Sequence, residues 1–147
     1  MIRFGTDGWR AIIGEEFTPE NVARVTQAFA DFLLQKGAGG EIFLGYDRRR
    51  LSPESAENAA EVLAGNGNTV HLSDDYCPTP CIAWNTRARG ASAGMMITAS
   101  HNPSQWNGIK FKESDGGAAS PEYTGAVEKI LMASSDRRPV RLPLSRG

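Results

Sequence analysis

Residues 41–72 read EIFLGYDRRRLSPESAENAAEVLAGNGNTVHL, and this stretch decides the fold. Glu41 to Tyr46 is a short apolar run of strand length that ends at Asp47 and an arginine cluster. Ser52-Pro53 then has the form of a helix cap with proline at the first helical position. Gly65-Asn66-Gly67 stops that helix ahead of a second strand, Thr69 to Leu72. A strand, a helix and a strand at this spacing predict a crossover between parallel strands.

The same alternation extends in both directions. Upstream, Gly8 to Ile13 predicts a first strand and Thr18-Pro19 repeats the cap-and-proline device. Val22, Val25, Phe29, Phe32 and Leu33 recur at intervals of three and four, the spacing of one helix face, until Gly37-Ala38-Gly39-Gly40 ends the helix. Downstream, Pro78 and Pro80 precede a third helical stretch with Ile82, Ala83 and Trp84. A strand from Ala93 to Thr98 follows. Ile109 to Lys112 predicts a further short strand, and Ser120-Pro121 caps a last helix carrying Val127, Ile130 and Leu131. The expected class is α/β, a three-layer α/β/α sandwich with a mostly parallel mixed sheet and one or two antiparallel members. A chain of 147 residues is long enough for one domain with a real core and too short for two ordinary ones.

The chemistry concentrates after one of these strands. Gly94-Met95-Met96-Ile97 reads as a buried strand, and Thr98-Ala99-Ser100-His101-Asn102-Pro103, followed by Ser104-Gln105-Trp106-Asn107-Gly108-Ile109-Lys110, emerges from its C-terminal end. Open α/β sheets place their ligands at that edge. Pro103 and Asn107-Gly108 predict a tight return into Ile109. A serine hydrolase requires a base that reaches the hydroxyl, and its usual elbow is Gly-x-Ser-x-Gly. On an extended backbone, adjacent Ser100 and His101 would diverge, and the flanks here are Ala99 and Asn102. A serine that carries a phosphoryl group instead asks for cationic side chains, amide donors and a metal ion. Lys110, His101, Asn102 and Arg10 suit that request.

These segments resemble the α-D-phosphohexomutases, the phosphoglucomutase and phosphomannomutase superfamily. Thr98-Ala99-Ser100-His101-Asn102-Pro103 with Asn107-Gly108-x-Lys110 is similar to the family's phosphoserine loop. Phe4-Gly5-Thr6-Asp7-Gly8-Trp9-Arg10 resembles its amino-terminal signature, and Gly45-Tyr46-Asp47-Arg48-Arg49 with Ser52-Pro53 its next landmark. The resemblance implies the first of four domains, with residues 1–133 as the phosphoserine-bearing domain and 134–147 as a linker or tail toward a missing second domain. It implies reversible movement of phosphate between positions 1 and 6 of a hexose, through a hexose 1,6-bisphosphate. Ser100 is then the covalent carrier and, through its phosphate, a ligand of one Mg²⁺ whose other ligands lie in the missing domain. Arg10, Asn102 and Lys110 are expected to bind the substrate phosphate. Lys110 or His101 is expected to handle the proton, since an amine among other cations has its pKa lowered. The implied partners are a hexose phosphate and domains 2–4 of the same polypeptide; the isolated chain is expected to be inactive. Two other readings stay open at this point: a stand-alone phosphosugar- or anion-binding module without catalysis, and a serine-dependent hydrolase.

The rest of the sequence bounds the partners. Sixteen Lys and Arg against seventeen Asp and Glu give a net charge of −1, which argues against a nucleic-acid surface or an anionic-membrane surface. The start Met1-Ile2-Arg3-Phe4-Gly5 has no apolar stretch of signal or membrane-spanning length, so a cytoplasmic protein is expected. Cys77 and Cys81 lack partners for a zinc site and read as small packing residues. Asp74 and Asp75 are two adjacent carboxylates without further oxygen ligands, and Asp47 with Arg49 reads as a loop-fixing ion pair. Trp9 and Trp106 are expected to brace their loops, and His71, Met95 and Met96 to pack on the sheet. Arg137, Arg138, Arg141 and Arg146 read as a solvated linker or frayed tail.

Overall fold

The computed structural model describes residues 2–5, 7–134 and 136–144. Thr6 of the opening signature and Arg146 of the basic tail lie outside the described residues. In chain order the elements are β1 (Gly8–Ile12), α1 (Pro19–Gln35), β2 (Glu41–Tyr46), α2 (Ser52–Gly65), β3 (Thr69–Leu72), α3 (Thr79–Ala88), β4 (Ala93–Ile97), β5 (Trp106–Lys112) and α4 (Pro121–Ala133). The strands form one sheet in the order β1-β5-β4-β2-β3. β2 is parallel to both β3 and β4, whereas β5 is antiparallel to β4 and to β1. Four of the five strands therefore point the same way, with β5 reversed, as the mostly parallel mixed sheet requires.

Local signals explain most of these elements. Thr18 Oγ1 accepts the Asn21 amide at 3.2 Å at the start of α1, and Ser120 Oγ accepts the Tyr123 amide at 3.2 Å at the start of α4; each satisfies an amide left open by helix geometry. The predicted face of α1 is buried: Val22, Val25, Phe29, Phe32 and Leu33 all lie in the core. Phe29 stacks on Phe111 of β5 with ring centroids 4.4 Å apart, and Phe32 meets Tyr123 of α4 edge-on at 4.7 Å. Ile42, Leu44, Met95 and Ile97 complete this core from the central strands. The helix layer of α1, α2 and α4 packs against it. On the opposite face α3 covers β2 and β4, where Gly45 lets Cys77 and Ile82 close in: a Cβ there would lie 2.5 Å from Cys77 Sγ. Cys77 thus packs as expected and burial raises its thiol pKa, whereas Cys81 is exposed, so packing does not account for it. Trp84 is also exposed, at 69%.

Two local expectations are corrected. Ser52 does not cap α2. Leu51 holds that position at φ +68°, without a side-chain hydrogen bond, while the Ser52 hydroxyl serves a buried network described below. Asn107-Gly108 is no turn, because β5 begins at Trp106 and both residues pair with β1. Gly108 is needed for close approach: a Cβ on it would lie 2.2 Å from the Trp9 carbonyl oxygen. The basic carboxyl segment, as far as it is described, lies against the helices. Arg137 meets Asp31 at 3.2 Å, the Val140 amide donates to Gln27 Oε1 at 2.8 Å, and Leu142 N donates to the Glu61 carbonyl at 2.9 Å.

Tyr123 supplies a test of this packing. Its hydroxyl is buried and has no hydrogen-bond partner among the described residues, and burial, reinforced by Glu113, pushes its pKa well above the ordinary value. The fold thus favours the neutral phenol, whereas the unfolded chain ionises near 10. The stability is fully present below that pH and declines as pH rises past it. Tyr123→Phe is expected to flatten this alkaline loss and to change neutral-pH stability by no more than about 1 kcal/mol, as measured by urea midpoints at neutral and alkaline pH.

Candidate active site

The parallel strands β2 and β4 end at the same edge, and the loops that follow them meet there. Between them opens a cavity of about 710 Å³ lined by Asp47, Arg48, Arg49, Arg50, Ser100, Asn102 and Ser104. This is the place where the crossovers reverse direction, since α2 leads from β2 outward to β3 and α3 returns past β2 to β4.

Arg49 organises the edge. Its Nη2 donates to the carbonyls of Ser100 at 2.8 Å and Asn102 at 2.7 Å, and its Nη1 to those of Pro103 at 2.9 Å and Trp106 at 3.1 Å. Asp47 holds the guanidinium in turn, with Oδ2 3.5 Å from Nε and Oδ1 accepting the Arg49 amide at 3.0 Å. This is the expected loop-fixing pair. Beneath it, Ser52 Oγ donates to Asp47 Oδ1 at 2.8 Å, and fully buried Asn107 donates through Nδ2 to Ser52 Oγ at 2.9 Å and to the Arg50 carbonyl at 3.0 Å. The polar network links the loop after β2, the start of α2 and strand β5.

Ser100 is the outcome of that bracing. It is half-buried, sits at φ +54°, and donates its amide to Thr98 Oγ1 at 3.0 Å. A serine in the left-handed region is uncommon and points to a constraint imposed from outside. Its hydroxyl has no hydrogen-bond partner among the described residues. Asn102 Oδ1 accepts from Arg10 Nη1 at 3.1 Å, so the sequence-distant Arg10 does reach the loop. Arg10 Nη2 lies 3.7 Å from Asp7 Oδ1, and Lys110 Nζ lies 3.6 Å from Asp7 Oδ2. Lys110 is a shielded cation, with its side chain 15% exposed. The structure therefore joins Asn102 of the Ser100 loop to Arg10 and, through Asp7, Arg10 to Lys110; Ser100 and Asn102 line the cavity, whereas Arg10 lines a separate pocket with Asp7. His101 is exposed, and its ring engages no partner among the described residues.

Sequence reasoning missed Asp7, the carboxylate that ties Arg10 to Lys110. Its one signal was its place in the Phe4–Arg10 segment. Lys112, also overlooked, lies two residues from Lys110 on the same sheet face; burial, then the Lys110 charge, lowers its pKa, while Asp7 opposes the shift. The tryptophans differ. Trp9 is core, stacked on Phe17 at 5.3 Å, whereas Trp106 contributes its carbonyl to the Arg49 clamp. His71 stacks on Phe43 and meets Glu41 at 3.0 Å on the sheet edge, far from any catalytic arrangement with Ser100. Met95 and Met96 are buried on the sheet as expected.

Removing Asn107 tests the buried network. Asn107→Ala leaves the Arg50 carbonyl and Ser52 hydroxyl without their donor, and is expected to lower stability by about 1–3 kcal/mol in urea denaturation. A loss below about 0.5 kcal/mol, the level of an ordinary surface change, would mean that the network does not secure the edge.

Comparison with known proteins agrees with this geometry. Residues 1–138 match the family model described as phosphoglucomutase/phosphomannomutase, alpha/beta/alpha domain I. A phosphoglucomutase of Staphylococcus epidermidis is 39% identical over 136 residues, covering 88% of this chain and 24% of its own length. One from Staphylococcus aureus is 35% identical over 151 residues, covering 99% and 27%. Among solved structures, one assigned as a phosphomannomutase from Thermus thermophilus superposes with a TM-score of 0.90 at 38% identity, over 95% of this chain and 31% of that one. Parafusin, a phosphoglucomutase from Paramecium, shares the fold with a TM-score of 0.79 at 21% identity, over 89% of this chain and 26% of that one. The chain spans about a quarter of the length of the curated relatives it matches. It belongs to the phosphoglucomutase/phosphomannomutase family, whose α/β/α domain I it represents.

Proposed function

We propose that this chain is the phosphoserine-bearing domain of a phosphohexomutase, which interconverts hexose 1-phosphate and hexose 6-phosphate through a 1,6-bisphosphate. The observation that carries the reading is the Ser100 hydroxyl, unpartnered among the described residues, held at φ +54° on an arginine-clamped loop whose Asn102 meets Arg10. Serine hydrolysis has less support, because neither histidine hydrogen-bonds Ser100 among the described residues.

In this reading phosphorylated Ser100 donates its phosphoryl group to a free hydroxyl of the bound hexose monophosphate. The P–O bond to Ser100 breaks as the bond to the sugar oxygen forms; the sugar hydroxyl gives up its proton, and the leaving Ser100 oxygen takes one up to become the hydroxyl again. Ser100 recovers the other phosphate after the bisphosphate has turned over in the site. Lys110 is the candidate to take up the sugar proton or to balance phosphate charge, with Asp7 fixing its direction. Arg10 offers a planar fork to phosphate oxygens while Asn102 holds that fork in place. His101, exposed beside Ser100, orients the phosphoryl group.

The family implies Mg²⁺, yet the described residues do not build a site for it. They contain no group of three His, Cys, Asp or Glu able to hold a metal ion, and the oxygens of Asp47 are already engaged by Arg49 and Ser52. The donor set here thus amounts to the Ser100 phosphate. We assign the remaining ligands, the sugar-reading contacts and the second phosphate grip to domains 2–4 of a longer polypeptide, with residues 134–147 leading toward them. No helix among the described residues is long and apolar enough to cross a membrane, and a cytoplasmic location completes the proposal.

Phosphopeptide mapping of the active full-length enzyme is expected to find phosphate at Ser100 alone among the serines. Reproducible phosphate at Ser104 or Ser52, with Ser100 bare, would refute the assignment. In the same enzyme Lys110→Arg is expected to lose most turnover, because arginine keeps the charge but does not release a proton. Near-wild-type turnover across neutral pH would reduce Lys110 to a counter-charge and transfer the proton role to His101. The 147-residue chain alone is expected to fold and to show no mutase turnover with glucose 1-phosphate or mannose 1-phosphate.

A further inference from the structure

Helix α3 meets the sheet with one side and leaves the other open. Ile82 and Thr86 point inward: a Cβ on Gly45 would lie 2.7 Å from Ile82, and one on Gly94 would lie 2.5 Å from Thr86 Oγ1. Trp84 stands at the centre of the opposite side, 69% exposed. Its neighbours three and four residues away on the helix surface, Pro80, Cys81, Arg87 and Ala88, are exposed as well. An open aromatic anchor among mostly small side chains has the form of an interface centre.

Charge is segregated along the same strip. From Tyr76 to Thr86 no residue is Asp, Glu, Lys or Arg. Asp74 and Asp75 precede this run, Arg87 and Arg89 follow it, and all four are exposed, without an ion pair among the described residues. The two signs lie at opposite ends of the helix in space too. Ile82 rests over Gly45 and Thr86 over Gly94, the partner of Phe43, so α3 runs back along the strands, whereas Tyr76 beside the acids meets Tyr46 at the end of β2, with ring centroids 5.6 Å apart. Arg48, 4.8 Å from the Tyr76 ring centroid, offsets part of the acidic end. Asp115, next to the Gly116 that packs against Ala83 and Arg87, offsets part of the basic end. Two charges against one leave each end its own sign.

A strip that is acidic at one end, uncharged in the middle and basic at the other is complementary to itself when reversed. We propose that the outward face of α3 pairs with the same face of a second copy of this chain, antiparallel and about a two-fold axis near Cys81, which lies about midway in sequence between the acids and the bases. On that axis the acids of each copy face the bases of the other, and every contact occurs twice. Trp84 falls against the exposed Pro78 and Pro80 at the start of the other α3. A polyanion or an anionic membrane does not fit a strip that carries both signs. One helix and the turn before it make an interface at the small end of the range, so the pairing is weak and reversible. It is independent of the chemistry proposed for Ser100.

The test is sedimentation equilibrium of the 147-residue chain at low salt and up to about 1 mM, where even a millimolar dissociation constant gives measurable dimer. A reversible dimer is expected, weakening as salt is raised. Trp84→Ala is expected to weaken it at least about tenfold, the scale of a hot-spot side chain, with the thermal midpoint unchanged because the ring is exposed. Two charge variants read the orientation, one carrying Asp74→Lys with Asp75→Lys and the other Arg87→Glu with Arg89→Glu. Each alone is expected to stay monomeric where the parent dimerises, and their equimolar mixture to dimerise again. A short bismaleimide is expected to link two parent chains through Cys81, to link Cys77→Ser equally well, and to link Trp84→Ala poorly. A parent chain that stays monomeric at about 1 mM overturns the pairing and assigns the face to another part of a longer polypeptide. Dimerisation that survives Trp84→Ala overturns it in favour of a different surface. A mixture of the charge variants no more associated than either alone overturns the antiparallel arrangement, and with it the proposal.

Discussion

The four carbonyls gathered by Arg49 are the constraint on which the site depends. Residues 98–105 form neither helix nor strand, so their backbone acceptors lack the partners that regular structure supplies. A guanidinium is suited to this task because its donors form a rigid planar fork. The left-handed backbone of Ser100 costs about 1–3 kcal/mol. Each hydrogen bond from a charged donor contributes about 1.5–3 kcal/mol; three of the four end on the loop that contains Ser100, and the fourth on Trp106 at the start of β5. Even with generous allowance for non-additivity, the clamp outweighs the strain.

Sheet topology determines where this clamp stands. Because β2 and β4 are parallel neighbours, the arginine after β2 is brought beside the loop after β4, although Arg49 and Ser100 are far apart in sequence. Reversed β5 then returns Lys110 along the same face, and β1 adds Arg10 across from Gly108. Small residues at Gly8 and Gly108 allow the two strands to approach without obstruction: a Cβ on Gly8 would lie 2.0 Å from the Ile109 carbonyl oxygen. Asp7 lies where both cations reach it, and this keeps two positive groups close to each other and to the loop.

Much of this was legible in sequence because the signals were local. Helices α1 and α4 announced themselves by Thr18-Pro19 and Ser120-Pro121, whose side chains cap as their residue types predict. The core face of α1 followed from spacing alone. Ser52-Pro53 carried the same signal and misled, since Asp47 and Asn107 compete for the Ser52 hydroxyl and hold it in a tertiary network. Asn107-Gly108 misled for a related reason. Its turn propensity is overridden by pairing with β1, where the absence of a side chain at 108 matters more than freedom of φ. Ser100, His101, Lys110, Asn102 and Arg10 were singled out as candidates from motif and resemblance; that Arg49 clamps the loop and that Asp7 joins two cations depends on contacts between distant segments, which no spacing rule contains.

Arg49 thus imposes the conformation displaying Ser100. Amide hydrogen exchange across residues 99–106, compared between the parent chain and Arg49→Lys, tests it most directly. A lysine amine cannot reproduce a fork that reaches four carbonyls, so faster exchange is expected at the Asn102 and Trp106 amides, which close turns onto Ala99 and Pro103, while helices α1 and α4 keep their protection. Equal protection of the loop in both proteins would place the origin of the Ser100 conformation elsewhere.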